Sequence, residues 1–133
     1  MKSSLNRKNV DRSLAYRLAS EIESADVRQA CEFLIKYSEG LLGWECGAAR
    51  KGYLNDFRFY TPTEWPFAFI INKGSLLWYF RPAGLRNEAA NVERLRTQFE
   101  FVEELRDGHI KVRISNLADA RRIVDLVFGR AHL

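Results

Sequence analysis

The side chains able to do covalent or proton-transfer chemistry are few: His109 and His132, Cys31 and Cys46, and seventeen carboxylates. General acid–base work needs titratable groups gathered in a pocket with shifted pKa values. His109 has no partner set at a recognisable spacing, and His132 stands one residue from the end of the sequence, a poor position for catalysis. Cys31 falls in an apolar helical stripe and reads as a small core residue, and two cysteines with no histidine nearby make no zinc site. A metal-dependent nuclease of the restriction type needs an acid and then an acid-x-Lys pair on an adjacent strand, and Asp56 is followed by none. Nucleophile-elbow, phosphate-loop, dinucleotide, zinc-deaminase and HNH-type signatures are all missing. No catalytic residue, metal or cofactor is therefore expected, and an enzyme is the less favoured reading.

What remains is the chemistry of binding. Arginine outnumbers lysine fifteen to six, which favours bidentate and stacked contacts over simple solvation. The net charge of +4 is concentrated at the start: Lys2, Arg7, Lys8, Arg12 and Arg17 stand against Asp11 alone, and the remainder of the chain is neutral. Lys2, Arg7, Lys8 and Arg12 would give phosphate contacts from a flexible arm (residues 1–9) and the first helix. Further along, Arg58, Arg81, Lys111 and Arg113 lie in strand-like stretches at positions that alternate with apolar ones. Period-two geometry would put them on the sheet face turned away from the core. Guanidinium groups interleaved with rings are what a nucleic-acid platform needs, because cations meet phosphate and rings stack on bases. Most of the aromatic residues between 44 and 80 must be core; Trp44, Tyr53 and Trp65, flanking the strands, are the candidates for a pocket that takes a planar group such as an extruded base.

The elements that must carry these residues centre on Trp65–Arg81. Phe67–Ile71 and Leu76–Phe80 flank Asn72-Lys73-Gly74-Ser75, a hairpin signature, and Pro66 and Pro82 close it at both ends. Upstream, Leu14, Leu18 and Ile22 predict a helix over 11–23, and Val27, Ala30, Cys31, Leu34, Tyr37 and Leu41 predict a second, with Ser24 as cap and Gly40 as stop. Residues 40–52 hold four of the eight glycines and read as a mobile connector anchored by Trp44. Residues 57–60 alternate as a strand, with Asn55-Asp56 as a bend before it. Val92, Leu95, Phe99, Val102 and Leu105 predict a long helix over 87–106, capped by Asn87. Asp107-Gly108 is a turn, 109–115 a half-exposed strand, and 117–128 a last helix capped by Ser115 or Asn116 and stopped by Gly129.

The expected fold is α+β in one domain spanning 1–133: a mainly antiparallel sheet of about four strands with helices on one face, in the order α-α-β-β-β-α-β-α. A length of 133 residues suits one hydrophobic core. No apolar run reaches the ~20 residues that cross a bilayer, and no signal peptide is evident, so a cytoplasmic protein with no membrane partner is expected.

The run WPFAFIINKGSLLWYFRPAG, a helix, and then GHIKVRISNLADARRIVDLVF, together residues 65–128, resembles small accessory domains adjoining HNH-type restriction endonucleases. The resemblance covers about half the chain and carries over no catalytic residue, since the HNH motif itself is missing. It implies association with DNA through recognition rather than cutting. The functional expectation is a non-catalytic nucleic-acid-binding module, DNA before RNA. The alternative is a protein-interaction subunit or homodimer that uses the aromatic surface.

Overall fold

The structure is a computed structural model and describes residues 12–51, 54–72, 74–82 and 92–129. The chain runs α1 (Arg12–Ser20), α2 (Ala25–Glu39), β1 (Glu45–Lys51), β2 (Leu54–Tyr60), β3 (Phe67–Ile71), β4 (Leu76–Phe80), α3 (Val92–Gln98), β5 (Val102–Glu104), β6 (Ile110–Ile114) and α4 (Leu117–Phe128). The six strands form one antiparallel sheet in the order β1-β2-β3-β4-β6-β5. The protein is α+β, with the β3–β4 hairpin at the centre of its sheet.

Register decides what each face carries. Phe57, Phe69, Trp78 and Val112 form one cross-strand row, all fully buried, and Phe59, Phe67, Phe80 and Ile110 form the next. Ala15, Leu18 and Ala19 of α1, Cys31, Leu34 and Ile35 of α2, Leu95 of α3, and Ala120, Ile123 and Val124 of α4 join them in a single apolar core. All four helices thus pack on the same face. Burial of each large core side chain contributes about 1.5–3 kcal/mol. Trp78 Nε1 lies inside this core without a hydrogen-bond partner among the described residues.

Three parts of the chain depart from expectation. The connector over 40–52 contains strand β1, paired in register from Glu45↔Tyr60 to Lys51↔Leu54. Its small residues have a packing reason: Ala48 is fully buried where α1 lies across β1 with its own buried Ala15 and Ala19, and small side chains let the layers approach closely. The long helix expected over 87–106 is described only as α3, and its second half turns into β5, so the sheet has six strands rather than four. Leu95 and Phe99 are buried as the helical period requires, but Val102 pairs with Val112 across the outer edge of β6. Hairpin pairing with β6 overrides the helix propensity of this Glu- and Arg-rich stretch. The Asp107-Gly108 turn joins β5 to β6, with Gly108 at φ 87°, a conformation in which a Cβ would be strained. Asn87, the expected cap, lies outside the described residues. Strand β2 also starts earlier than expected, so Asn55 and Asp56 are strand residues rather than a bend.

The remaining helix ends follow the sequence. Ser24 accepts a hydrogen bond from Val27 N at 3.2 Å, and Asn116 Oδ1 accepts one from Asp119 N at 2.9 Å while Asp119 accepts from Ser115 N at 3.0 Å. Gly129, at φ 72°, follows the last turn of α4. Ser24→Ala removes the side-chain acceptor that caps the start of α2 and is expected to lower stability by about 1 kcal/mol, read from the urea midpoint at unchanged slope.

Candidate functional site

The sheet face opposite the helices carries the other half of each strand. One row reads Gly47, Arg58, Ala68, Tyr79, Lys111 and Glu103 across the strands; a second reads Asp56, Ile70, Leu77 and Arg113. The four cations singled out by alternation, Arg58, Arg81, Lys111 and Arg113, all fall on or beside this face. None of the helices that build the core lines it, and its floor of Ile70, Leu77 and Tyr79 is half-buried rather than covered.

The four cations are not equivalent. Arg58 Nε donates to Asp56 Oδ2 at 2.9 Å and Nη1 to Tyr60 Oη at 3.3 Å. Burial alone would lower its pKa, but the hydrogen bonds to Tyr60 and Asp56 outweigh that and raise it. Lys111 Nζ sits 3.0 Å from Glu103 Oε1. Arg81 and Arg113 make no ion pair among the described residues. Arg81 Nη1 donates to the Trp65 carbonyl at 3.1 Å, and Arg113 stacks on Phe101 at 4.1 Å from the ring centroid. Those two guanidinium groups keep their charge available to a ligand.

Trp65 organises one end of the face. Its ring is held between Arg58, 4.1 Å from the centroid, and Arg81, 3.9 Å away. Each cation–π contact contributes about 0.5–2 kcal/mol, more as water is excluded. Beside it opens a hollow of about 280 Å³, floored by Ala68, Ile70 and Tyr79, with Arg81 and His109 at its rim. Asp56 also lines it, and its Oδ1 is buried out of reach of solvent with no hydrogen-bond partner among the described residues. His109 Nδ1 lies 2.9 Å from Asp107 Oδ1, and the His109 backbone N–H donates to the same carboxylate. That backbone bond is the main reason the Asp107 carboxyl titrates below its ordinary value. A second depression lies across Leu77, between Phe101, Lys111 and Arg113.

Other expected site residues fall elsewhere. Arg12 belongs to the helical layer: its Nη1 donates to Ser38 Oγ at 3.0 Å and lies 3.9 Å from Glu39, so it ties α1 to α2 rather than joining the sheet face. Lys2, Arg7, Lys8 and the proposed arm lie outside the described residues. The grouping of Trp44, Tyr53 and Trp65 does not come together. Trp44 packs on the covered face, stacked on Phe67 at 5.9 Å and edge-on to Phe128 at 5.4 Å, while Trp65 is on the open face and Tyr53 is outside the described residues. Sequence reasoning misses Asp56, whose neighbourhood reads as a bend, and Phe101, whose neighbourhood reads as helical; Phe101 is 51% exposed.

Cys31 is buried, which pushes its thiol up to about 12, and no cluster of His, Cys, Asp and Glu suited to a metal ion occurs among the described residues. No helix among them is long and apolar enough to cross a membrane. Compared with models of known protein families, with curated proteins and with solved structures, the chain matches none.

Proposed function

We propose that this protein is a non-catalytic nucleic-acid-binding module, for DNA before RNA, and that it binds through the open face of its sheet. The observation that carries this reading is the pairing, on the open face, of guanidinium groups that make no ion pair among the described residues with aromatic rings: Arg81 against Trp65 at one end and Arg113 against Phe101 at the other. Phosphates meet the two arginines, and bases lie on Phe101 and on the half-buried floor between the two ends. The resemblance of residues 65–128 to accessory domains of HNH-type restriction endonucleases points the same way. The setting we propose is the cytoplasm, where free thiols such as Cys31 and Cys46 stay reduced.

The test is a salt titration of binding to labelled single strands and duplexes. Log affinity should fall linearly with log salt. The double variant Arg81→Ala/Arg113→Ala should flatten that slope on a single strand by about 0.7 for each phosphate it no longer neutralises. Affinity indifferent to salt, or no binding to any strand at low salt, would reject the reading.

One observation favours a second reading. The exposed Phe101 and the apolar Ile70 and Leu77 could instead be buried by a protein partner or a second copy of this chain. Sedimentation separates the two: a mass that rises with concentration, without any response to nucleic acid, belongs to self-association.

A further inference from the structure

We infer that the open face takes a single nucleic-acid strand and not a duplex, and that it grips the strand at two stations, Arg81 and Arg113, so that a strand too short to reach both binds weakly. This rests on the nucleic-acid reading above and adds which form of nucleic acid the face accepts and how much of it.

Charge picks out the stations. Arg58, Lys111 and His109 each stand against a carboxylate of the same face, namely Asp56, Glu103 and Asp107. Arg81 and Arg113 have no such neighbour among the described residues. Both are nevertheless held in place. Arg81 Nη1 donates to the Trp65 carbonyl at 3.1 Å, and its guanidinium lies on the Trp65 ring. Arg113 lies on the ring of Phe101, whose carbonyl accepts from Arg113 N at 3.1 Å. A cation that is ordered beforehand loses less freedom on meeting a phosphate.

Each station opens onto a hollow, one of about 280 Å³ beside Arg81 and one of about 260 Å³ beside Arg113. Both fall short of the roughly 300–1,000 Å³ of pockets for drug-sized ligands, so each suits a single ring. Tyr79 borders the first and Leu77 the second, on the same face of β4, which makes the apolar floor continuous between them. A duplex keeps its bases paired and stacked inside and would leave that floor without a partner. In a single strand the bases are free to lie on Phe101 and the floor while phosphates reach the two cations.

Spacing sets the length. Leu77 pairs with Arg113, and Arg81 lies four residues further along the chain from Leu77. At about 3.4 Å per residue and about 4.8 Å between strands, the two α-carbons stand about 14 Å apart. A stacked strand advances about 3.4 Å per nucleotide, so about four nucleotides join the stations, and fewer if the strand is extended. Once one strand spans the gap, its second contact becomes intramolecular and affinity rises sharply.

The test is a ladder of labelled oligo-dT, from dinucleotide to decanucleotide, read by fluorescence anisotropy at low salt. Affinity of the native protein should step up roughly tenfold or more by about four nucleotides and climb slowly beyond. The salt slope should steepen by about 0.7 at the step, for the second phosphate. The decanucleotide should bind at least roughly tenfold more tightly alone than annealed to its complement. In Arg113→Ala, which removes an exposed side chain outside the core, the step should vanish and long strands should bind like short ones. Arg81→Gln should do the same once circular dichroism shows it folded, and the ladder on the native protein decides the matter if it does not fold. A smooth rise with length, or a duplex bound as tightly as the strand, overturns this inference and leaves the wider reading intact. No binding at any length overturns the wider reading itself. Oligo-glutamate of equal charge supplies anions without rings: weak competition supports a strand, and competition at the affinity of the decanucleotide overturns both the strand and the wider reading.

Discussion

Trp65→Ala is expected to weaken single-strand binding by roughly 2- to 30-fold, the range set by about 0.5–2 kcal/mol for the cation–π contact that holds Arg81 over the Trp65 ring. The ring acts through the cations that lie on it. It sits 4.1 Å from the Arg58 guanidinium and 3.9 Å from that of Arg81, so removing it frees Arg81 to adopt other rotamers and opens the wall of the hollow. Arg58 is less affected, because Asp56 and Tyr60 hold it independently. Trp65→Phe keeps a ring for the Arg81 guanidinium to lie on and should recover most of the binding. Because Trp65 is only half-buried and lies outside the core, the alanine variant should remain folded, with an unfolding midpoint close to that of the parent. Anisotropy and urea denaturation on the same preparations separate the two effects. Equal binding by parent and alanine variant would remove Trp65 from the interface.

Trp78→Ala should produce the largest drop in stability, about 3–5 kcal/mol, a large share of the 5–15 kcal/mol available to a domain. Trp78 is fully buried at the middle of the sheet, with its ring centroid 5.2 Å from that of Phe59, 6.0 Å from Phe67 and 6.1 Å from Phe69. No neighbour can collapse into the space without disturbing that stack. Trp78→Phe is the informative companion. It gives up part of the ring but also removes an indole N–H buried without a partner among the described residues, which itself costs about 1–3 kcal/mol. The two effects oppose, and the phenylalanine variant should unfold within about 1.5 kcal/mol of the parent. A drop as large as that of the alanine variant would mean that the indole nitrogen has a partner in solution.

The parts of this fold readable in the sequence are those whose signal is local. The central hairpin needed only two apolar runs and the Asn72–Ser75 turn between them; Ser24, Asn116 and Gly129 marked helix ends by chemistry that acts within four residues. Ile110, Val112 and Ile114 alternate with Lys111 and Arg113, so which side chains share a face followed from period alone. The two missed strands lack such signals. Gly47, Ala48 and Ala49 have poor strand propensity, and they pair because β2 lies beside them and α1 above. Val102 carries a helix period that pairing with β6 overrides. The site follows the same division. Arg58 and Arg81 were legible as residues of one face, but the sandwich around Trp65 was not, since a loop has no period to fix where its ring points. Trp44 went to the covered face for that reason. The unpaired oxygen of Asp56 depends on Arg58 claiming the other one, a relation no spacing encodes.

The sheet order holds one consequence for biogenesis. Consecutive strands are neighbours in the sheet except β4 and β5, which β6 separates, so the outer neighbour of β4 is β6. Until residues 110–114 leave the ribosome, Leu76–Phe80, the most aromatic strand of the molecule, therefore has one side of its backbone without a partner, and at synthesis rates of about 5–20 residues per second that interval lasts seconds. Truncation ahead of residue 110 would make the gap permanent, and aggregates seeded by β4 are the failure to look for in such fragments.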